Sequence, residues 1–333
     1  MAPENTPRTG RGLRALGVGV ATVLALTACG SAESESSGPK VVVGGSDVGI
    51  AALMVEALEQ AGDELGVEVE YKPMAQKTAQ IALTNGDIDM GFMSIVNLAS
   101  AQEQGHDVVG ISPTWAANSS MIVEEDSPYR TAEDLLGEPV ASLHRTVSVY
   151  SESYFVLQDM GIDMEEDYRL MLADSGGLLQ GLLDTGEMEA ITQYEPNTTR
   201  MLTEGGYREL FHTAHYWEEA GQSLAPSQNW AARSDWLEEN DADLMQRLAA
   251  RATEIAGSDK SIYEANADAV NLTAPEGTDL LFERFAPLLI PAYTEENLTF
   301  AQEELERARE IGLLQREHDI DTMVLFDGGG EQS

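Results

Sequence analysis

Cysteine is almost absent from this 333-residue chain: Cys29 is the only one. A single thiol excludes any internal disulfide, so a folded domain here is held by core burial, for which ~300 residues suffice. Basic residues are scarce too. Nineteen Lys and Arg stand against 58 Asp and Glu, a formal net charge of −39, and lysine occurs only at Lys40, Lys72, Lys77 and Lys260. Such a surface repels nucleic acid and anionic lipid head groups, so neither is an expected partner. The charge is spread along the chain instead of forming blocks, which fits a salt-adapted host better than a dedicated cationic partner. After residue 29 no apolar run approaches the ~20 residues of a bilayer span. Catalytic and metal signatures are missing as well. There is no Gly-x-Ser-x-Gly, no Ser-x-x-Lys and no His-Glu-x-x-His, and among five histidines only His212 and His215 lie close together. Asp87 and Asp89 fall at a helix–strand turn and do not make a glycosidase pair. The expectation is therefore a non-enzyme without a metal or cofactor.

What is present begins at the N-terminus. Arg8, Arg11 and Arg14 precede an apolar run, Leu16 to Leu26, which ends in Leu26-Thr27-Ala28-Cys29. A basic region, a 7–15-residue apolar region and small residues at the cut make a signal peptide. The arrangement resembles a lipobox, the leucine-small-small-cysteine signal of bacterial lipoproteins. Residues 1–28 are then the signal peptide, Cys29 the lipidated residue, and the polar stretch 29–39 a flexible tether. The expected location is outside the cytoplasm, anchored to the cell membrane by lipid.

From Lys40 the chain has a regular grammar. Lys40–Val43, Val67–Tyr71, Asp89–Met93 and Val108–Ile111 read as strands, separated by helical periodicity over Ile50–Leu65, Ala75–Leu83 and Ile95–Gln104. The same pattern resumes with strands near 120–123, 139–142, 169–172 and 188–192 and helices at 147–160 and 177–183. From Asp235 only helices follow, near 241–256, 259–269, 278–288 and 295–312. Alternating strands and helices imply an α/β architecture with mainly parallel pairing. Ile81 to Met90 and Leu179 to Ala190 echo each other: a helix, a Gly-acid-x-acid turn, then a strand. Two copies about a hundred residues apart imply two α/β lobes of similar build.

Several segments resemble those of substrate-binding proteins of ABC importers, in the branch for nitrate, sulfonates, taurine and thiamine-precursor pyrimidines. They are the lipobox at Cys29, Leu-x-x-Gly-Asp-x-Asp at Leu83 to Asp89, Asp126-Ser127-Pro128-Tyr129, and Ala132-Glu133-Asp134-Leu135-Leu136-Gly137 with Val140-Ala141. Gly186-Glu187-Met188-Glu189-Ala190 and Tyr194-Glu195-Pro196 complete the set. The chain departs from that family at Leu143-His144-Arg145-Thr146, where a small Gly-Ser turn often stands. The resemblance implies a two-lobed periplasmic-binding-protein-like fold of type II, with two crossover strands and a helical C-terminal portion. Residues 40–124 and 225–333 would form the first lobe and 125–224 the second, with a small-molecule solute held between them by hinge closure. It also implies the permease subunits of the importer as partners, and a monomer. An extracellular enzyme of the thiamine-precursor type, or a scaffold that binds nothing, are the other readings.

Ligands of open α/β sheets sit beyond the carboxyl ends of strands, at loops leading into helices. Ser46 and Asp47 follow the first strand; Asp47 faces the ligand or caps the next helix. Ser94 and Asn97 follow another strand, with the same choice for Ser94. Arg145 and Thr146 precede the helix starting near Val147, whose free amides and Arg145 together suit an anion. Tyr194 is placed to stack on a planar group, and Glu195 to pair with an amine or to open a helix. Trp115 would wall the cleft or pack the hinge. Acids and a basic anion site together favour a planar or zwitterionic organic molecule over a bare anion such as nitrate, because buried unpaired carboxylates are costly.

Overall fold

The computed structural model describes residues 38–326 apart from Ser223 and Ala225. The signal peptide, Cys29 and most of the tether lie outside the described residues. Among the described residues, no helix is long and apolar enough to cross a membrane.

The chain opens with β1 (Lys40–Gly45), α1 (Ile50–Leu65), β2 (Glu68–Pro73), α2 (Gln76–Asn85), β3 (Met90–Met93), α3 (Ile95–Glu103) and β4 (Val108–Ala116). It then continues with β5 (Ser119–Glu124), β6 (Pro139–Leu143), α4 (Ser148–Asp159), β7 (Arg169–Ala173), α5 (Gly176–Asp184), β8 (Ala190–Tyr194), α6 (Asn197–Glu204), β9 (Tyr207–His212) and α7 (Thr213–Glu219). It ends with β10 (Pro226–Arg233), α8 (Ser234–Glu239), α9 (Ala242–Ser258), α10 (Lys260–Ala265), α11 (Pro275–Phe285) and α12 (Glu295–Glu310). The expected α/β class and two-sheet build are present.

The strand orders are β2-β1-β3-β10-β4 and β7-β6-β8-β5-β9, the same plan twice. The internal echo has a physical basis in this plan. In each copy a glycine with positive φ closes the helix, Gly86 at 82° and Gly186 at 68°, and the chain turns into a strand, β3 or β8, that runs parallel to β1 or β6. Pairing is less parallel than expected: among the described residues four of the eight strand pairings are antiparallel. The reason is exchange. β5 leaves the first half to enter the second sheet, β10 returns to the first, and each runs against its neighbours. β5, Ser119–Glu124, is therefore a strand of the second sheet. The two passages lie side by side, where the Thr213 hydroxyl donates to the Ser119 carbonyl (3.1 Å) and accepts from its N–H (3.2 Å).

The C-terminal helices do two jobs. α9 packs with α1 over the first sheet, where Leu53, Leu58, Phe92, Trp230, Leu248, Tyr263 and Phe285 form one core. α12 lies against α3 and reaches α4, where Arg307 pairs with Asp159 at 2.8 Å and lies 5.7 Å from the Phe155 ring centre. Leu298, Phe300 and Leu305 of α12 share a continuous core with Leu98 of the first half and Tyr150, Phe155 and Leu157 of the second.

Candidate ligand-binding site

The amino ends of α3 and α4 border one pocket of about 70 Å³, lined by Ser94, Asn97, Ser100, Arg145, Thr146, Ser148 and Ser151 among others. Each helix follows a strand end directly, β3 through Ser94 and β6 through residues 144–147, and residues at both helix starts line the one pocket. Ser94 is the N-cap of α3, accepting from Asn97 N–H at 3.1 Å. The first turn of α4 carries no side-chain cap. Its N–H groups and the helix dipole then offer a site for negative charge. Arg145 sits over the Tyr150 ring and pairs with Glu165, and it remains 45 % exposed at the pocket. This arrangement can hold a small anion by backbone N–H groups, hydroxyls and one guanidinium.

Behind it lies a narrower recess of about 10 Å³ that shares Ser94, Val96, Ser148 and Ser151 and adds Glu152, Phe155, Ser227 and Glu304. Glu152 is 3 % exposed. It accepts from Asn118 N–H at 3.2 Å and from the Ser227 hydroxyl. Burial nevertheless raises its carboxyl above the usual range, against those hydrogen bonds. Glu304 is 9 % exposed, and burial and then the Glu152 carboxyl push it up to about 8. A larger groove of about 270 Å³ adjoins the pocket along α2 and α3, lined by Gln80, Ile81, Thr84 and the exposed Lys77.

Of the residues expected at the site, Ser94, Asn97, Arg145 and Thr146 are brought together; the others lie elsewhere. Ser46 accepts from Val48 N–H, and Asp47 is exposed and caps nothing, because α1 starts at Ile50 behind Gly49. Trp115 lies in the core of the first half, 5.4 Å from the Phe92 ring and 5.9 Å from Phe285, because β4 is buried along its whole length. Tyr194 packs against the core of the second half with Leu179, Ile191 and Met201. Glu195 is already neutralised: its fully buried carboxylate takes Arg284 Nε at 2.7 Å and caps Thr199 N–H at 3.0 Å.

Arg284, on α11, also makes a bidentate pair with Glu209 of β9 at 2.6 and 3.0 Å, so one guanidinium ties both halves together. Burial alone would raise the Glu209 carboxyl, but Arg284 and the Ser120 hydroxyl, which donates at 2.6 Å, hold it below the usual range. Burial and Arg284 push neighbouring His212 down to about 3, so it is neutral at any physiological pH.

Sequence reasoning missed Ser148, Ser151, Glu152, Ser227, Glu304 and Arg284. A signal existed for three of them: Ser148, Ser151 and Glu152 stand at i, i+3 and i+4, one face of the predicted helix. Glu304 and Arg284 carry no local signal, since their partners are far away in sequence.

Two sheets of one plan, exchanged middle strands and a pocket between helix starts define a two-lobed solute-binding architecture. The family model for the ABC-transporter phosphonate periplasmic substrate-binding protein matches residues 48–266, and the chain belongs to that family. No curated protein matches the sequence. Among solved structures, the fold is similar to the periplasmic aliphatic sulphonate binding protein SsuA from Escherichia coli. The TM-score is 0.70 at 21 % identity, covering 89 % of this chain and 96 % of that one. It is also similar to the alkanesulfonate-binding protein SsuA from Xanthomonas axonopodis pv. citri bound to MOPS, with TM-score 0.69, 17 % identity and coverage of 86 % and 99 %. The desulfurization enzyme DSZB shares the fold too, at TM-score 0.60 and 16 % identity over 87 % of this chain and 97 % of that one. The family places the chain as the solute-binding component of an ABC importer, acting outside the cytoplasm.

Proposed function

We propose that this component captures a small organic anion of the sulfonate or phosphonate type in the pocket between α3 and α4. The observation that carries the reading is the uncapped start of α4, with Arg145 beside it, facing the Ser94-capped start of α3 across about 70 Å³. An anion there is neutralised by partial charges that cost nothing to reorganise. The protein acts as a monomer tethered by lipid on Cys29. One half is built on the first sheet and the C-terminal helices, the other on the second sheet. They close around the solute about the paired passages at 117–119 and 213–226, and the closed form docks on the permease subunits. The likeness to SsuA supports the sulfonate class, and the matched family supports the phosphonate class.

The test is isothermal titration with ethanesulfonate, ethylphosphonate and nitrate, backed by thermal shift, since a ligand that binds only the folded state raises the melting point. One of the organic anions is expected to bind more tightly than nitrate. Arg145→Ala should weaken it about tenfold or more, as for a charge-assisted hydrogen bond worth ~1.5–3 kcal/mol. Parental affinity in that variant, or no binding of any of the three, overturns the reading.

A further inference from the structure

Arg145 is the one charged side chain that lines the anion pocket, yet its charge is already answered. Its guanidinium contacts the Glu165 carboxylate, and the Tyr150 hydroxyl donates to the same Glu165 oxygen. Glu165 itself lies outside the pocket lining. It stands in the turn 163–167 that follows α4, where Asp163, Glu165, Glu166 and Asp167 are acids and only Met164 is not.

The turn is built to hold Glu165 in place. The Asp163 carboxylate accepts from the N–H groups of Glu165 at 2.9 Å and Glu166 at 3.1 Å, and the Asp167 carboxylate accepts from Asp163 N–H at 2.8 Å. Met164 is fully buried and anchors the turn. Tyr150 and Tyr154, one turn apart on α4, donate their hydroxyls to Glu165 and Asp163. Arg145 lies over the Tyr150 ring, 5.8 Å from its centre, so one aromatic side chain touches both members of the pair. A carboxylate free to rotate loses entropy on meeting a guanidinium; this one is positioned in advance. The pair carries no net charge, and three more acids stand in the same turn. A solute anion entering the pocket therefore meets two helix starts and a guanidinium that is already neutralised. To gain Arg145 it displaces Glu165 or shares the guanidinium with it, and in both cases it comes to rest near a carboxylate. That repulsion grows with the charge of the head group.

We propose that Glu165 is an internal competitor of the solute for Arg145, and that it makes the pocket select by charge, favouring singly charged sulfonates over doubly charged phosphonates. This rests on the anion reading above and chooses between the two classes named there. Glu165 acts through Arg145 and not by touching the solute. The competition also depends on salt. The two side chains are 45 % and 30 % exposed, and the screening length shortens from ~10 Å at 0.1 M to ~3 Å at 1 M, so salt weakens their pairing. An anion seated against backbone N–H groups between two helix starts is screened less. Glu165 therefore opposes capture most at low salt.

The experiment is isothermal titration of the full chain with ethanesulfonate and ethylphosphonate at pH 9, where the phosphonate is doubly charged, in 0.1 M and in 1 M sodium chloride. The parent is expected to bind ethanesulfonate more tightly. Glu165→Gln keeps the shape of the side chain and removes its charge. At 0.1 M salt it should bind ethylphosphonate about tenfold more tightly than the parent does, the scale of a charge-assisted hydrogen bond, and ethanesulfonate with a smaller gain. At 1 M salt the gain should shrink below about threefold. Glu166→Gln is the second variant. It removes one charge from the same turn without contact to Arg145, so its gain should stay well below that of Glu165→Gln. Melting curves of both variants are recorded first. Unchanged or weaker binding in Glu165→Gln shows that the acid supports Arg145 and overturns the competition, while the anion reading stands. An equal gain in Glu166→Gln, or a gain that persists undiminished at 1 M salt, overturns it likewise. Tighter binding of ethylphosphonate by the parent, or equal gains for the two anions, overturns the selection by charge. If neither anion binds to the parent or to either variant, it is the anion reading that fails.

Discussion

Arg284 is a side chain whose removal should cost the fold heavily. Its side chain is 13 % exposed and faces Glu195, fully buried, and Glu209, 22 % exposed. Arg284→Met keeps much of the volume and leaves two carboxylates without a cation. Breaking a buried pair by removing one partner costs about 3–5 kcal/mol, because the remaining charge stays desolvated. At ~2–4 °C per kcal/mol for a domain of this size, the melting point should fall by roughly 6–20 °C. The pH dependence gives an independent check. Arg284 holds the folded Glu209 carboxyl below its ordinary 4.5, so the stabilisation is present above that pH and is lost as pH falls through the lower, folded value. The gap between parent and variant should thus be widest near neutrality and narrow towards pH 3. Adding Glu195→Gln and Glu209→Gln to Arg284→Met should recover much of the loss, since no uncompensated charge remains. The assay is urea unfolding followed by circular dichroism from pH 3 to 8. A loss under 1 kcal/mol at pH 7, or one that grows as the pH falls, would refute the argument that this guanidinium compensates both acids.

Glu304→Gln should stabilise the protein in the absence of solute, by an amount that rises with pH. The folded carboxyl titrates near 8 and the unfolded one near 4.5, so the parent loses stability as pH rises between those values, at about 1.4 kcal/mol per pH unit for one group; unfolding curves of the two proteins at pH 5 and 8 that keep a constant separation would disprove it. Trp115→Ala should lower stability by about 3–5 kcal/mol as a core truncation against Phe92 and Phe285, without entering the pocket; equilibrium unfolding would expose a mere surface role by a change under 1 kcal/mol. Cys29→Ser should move the protein from the membrane to the soluble fraction with unchanged solute affinity, because stable anchoring needs two or more acyl chains; fractionation that leaves the variant on the membrane would contradict the lipobox.

Local signals were enough for the elements and for their repetition. The alternation of strand and helix, the glycine-closed helices before β3 and β8, and the resemblance to importer-binding proteins all lie within short windows of sequence, where backbone preference and periodicity act. Ser94 and Arg145 were legible for the same reason, since each stands between a strand end and a helix start. Antiparallel insertion of β5 and β10 was not legible, because the crossing of a strand from one sheet to the other is settled by packing over the whole chain. The fates of the acids were decided at that level as well. Glu195 and Glu304 both look like available carboxylates in sequence. Only the packing of α11 brings Arg284 to the first, and only the packing of α12 on α4 leaves the second buried beside Glu152, where Arg307 is paired with Asp159.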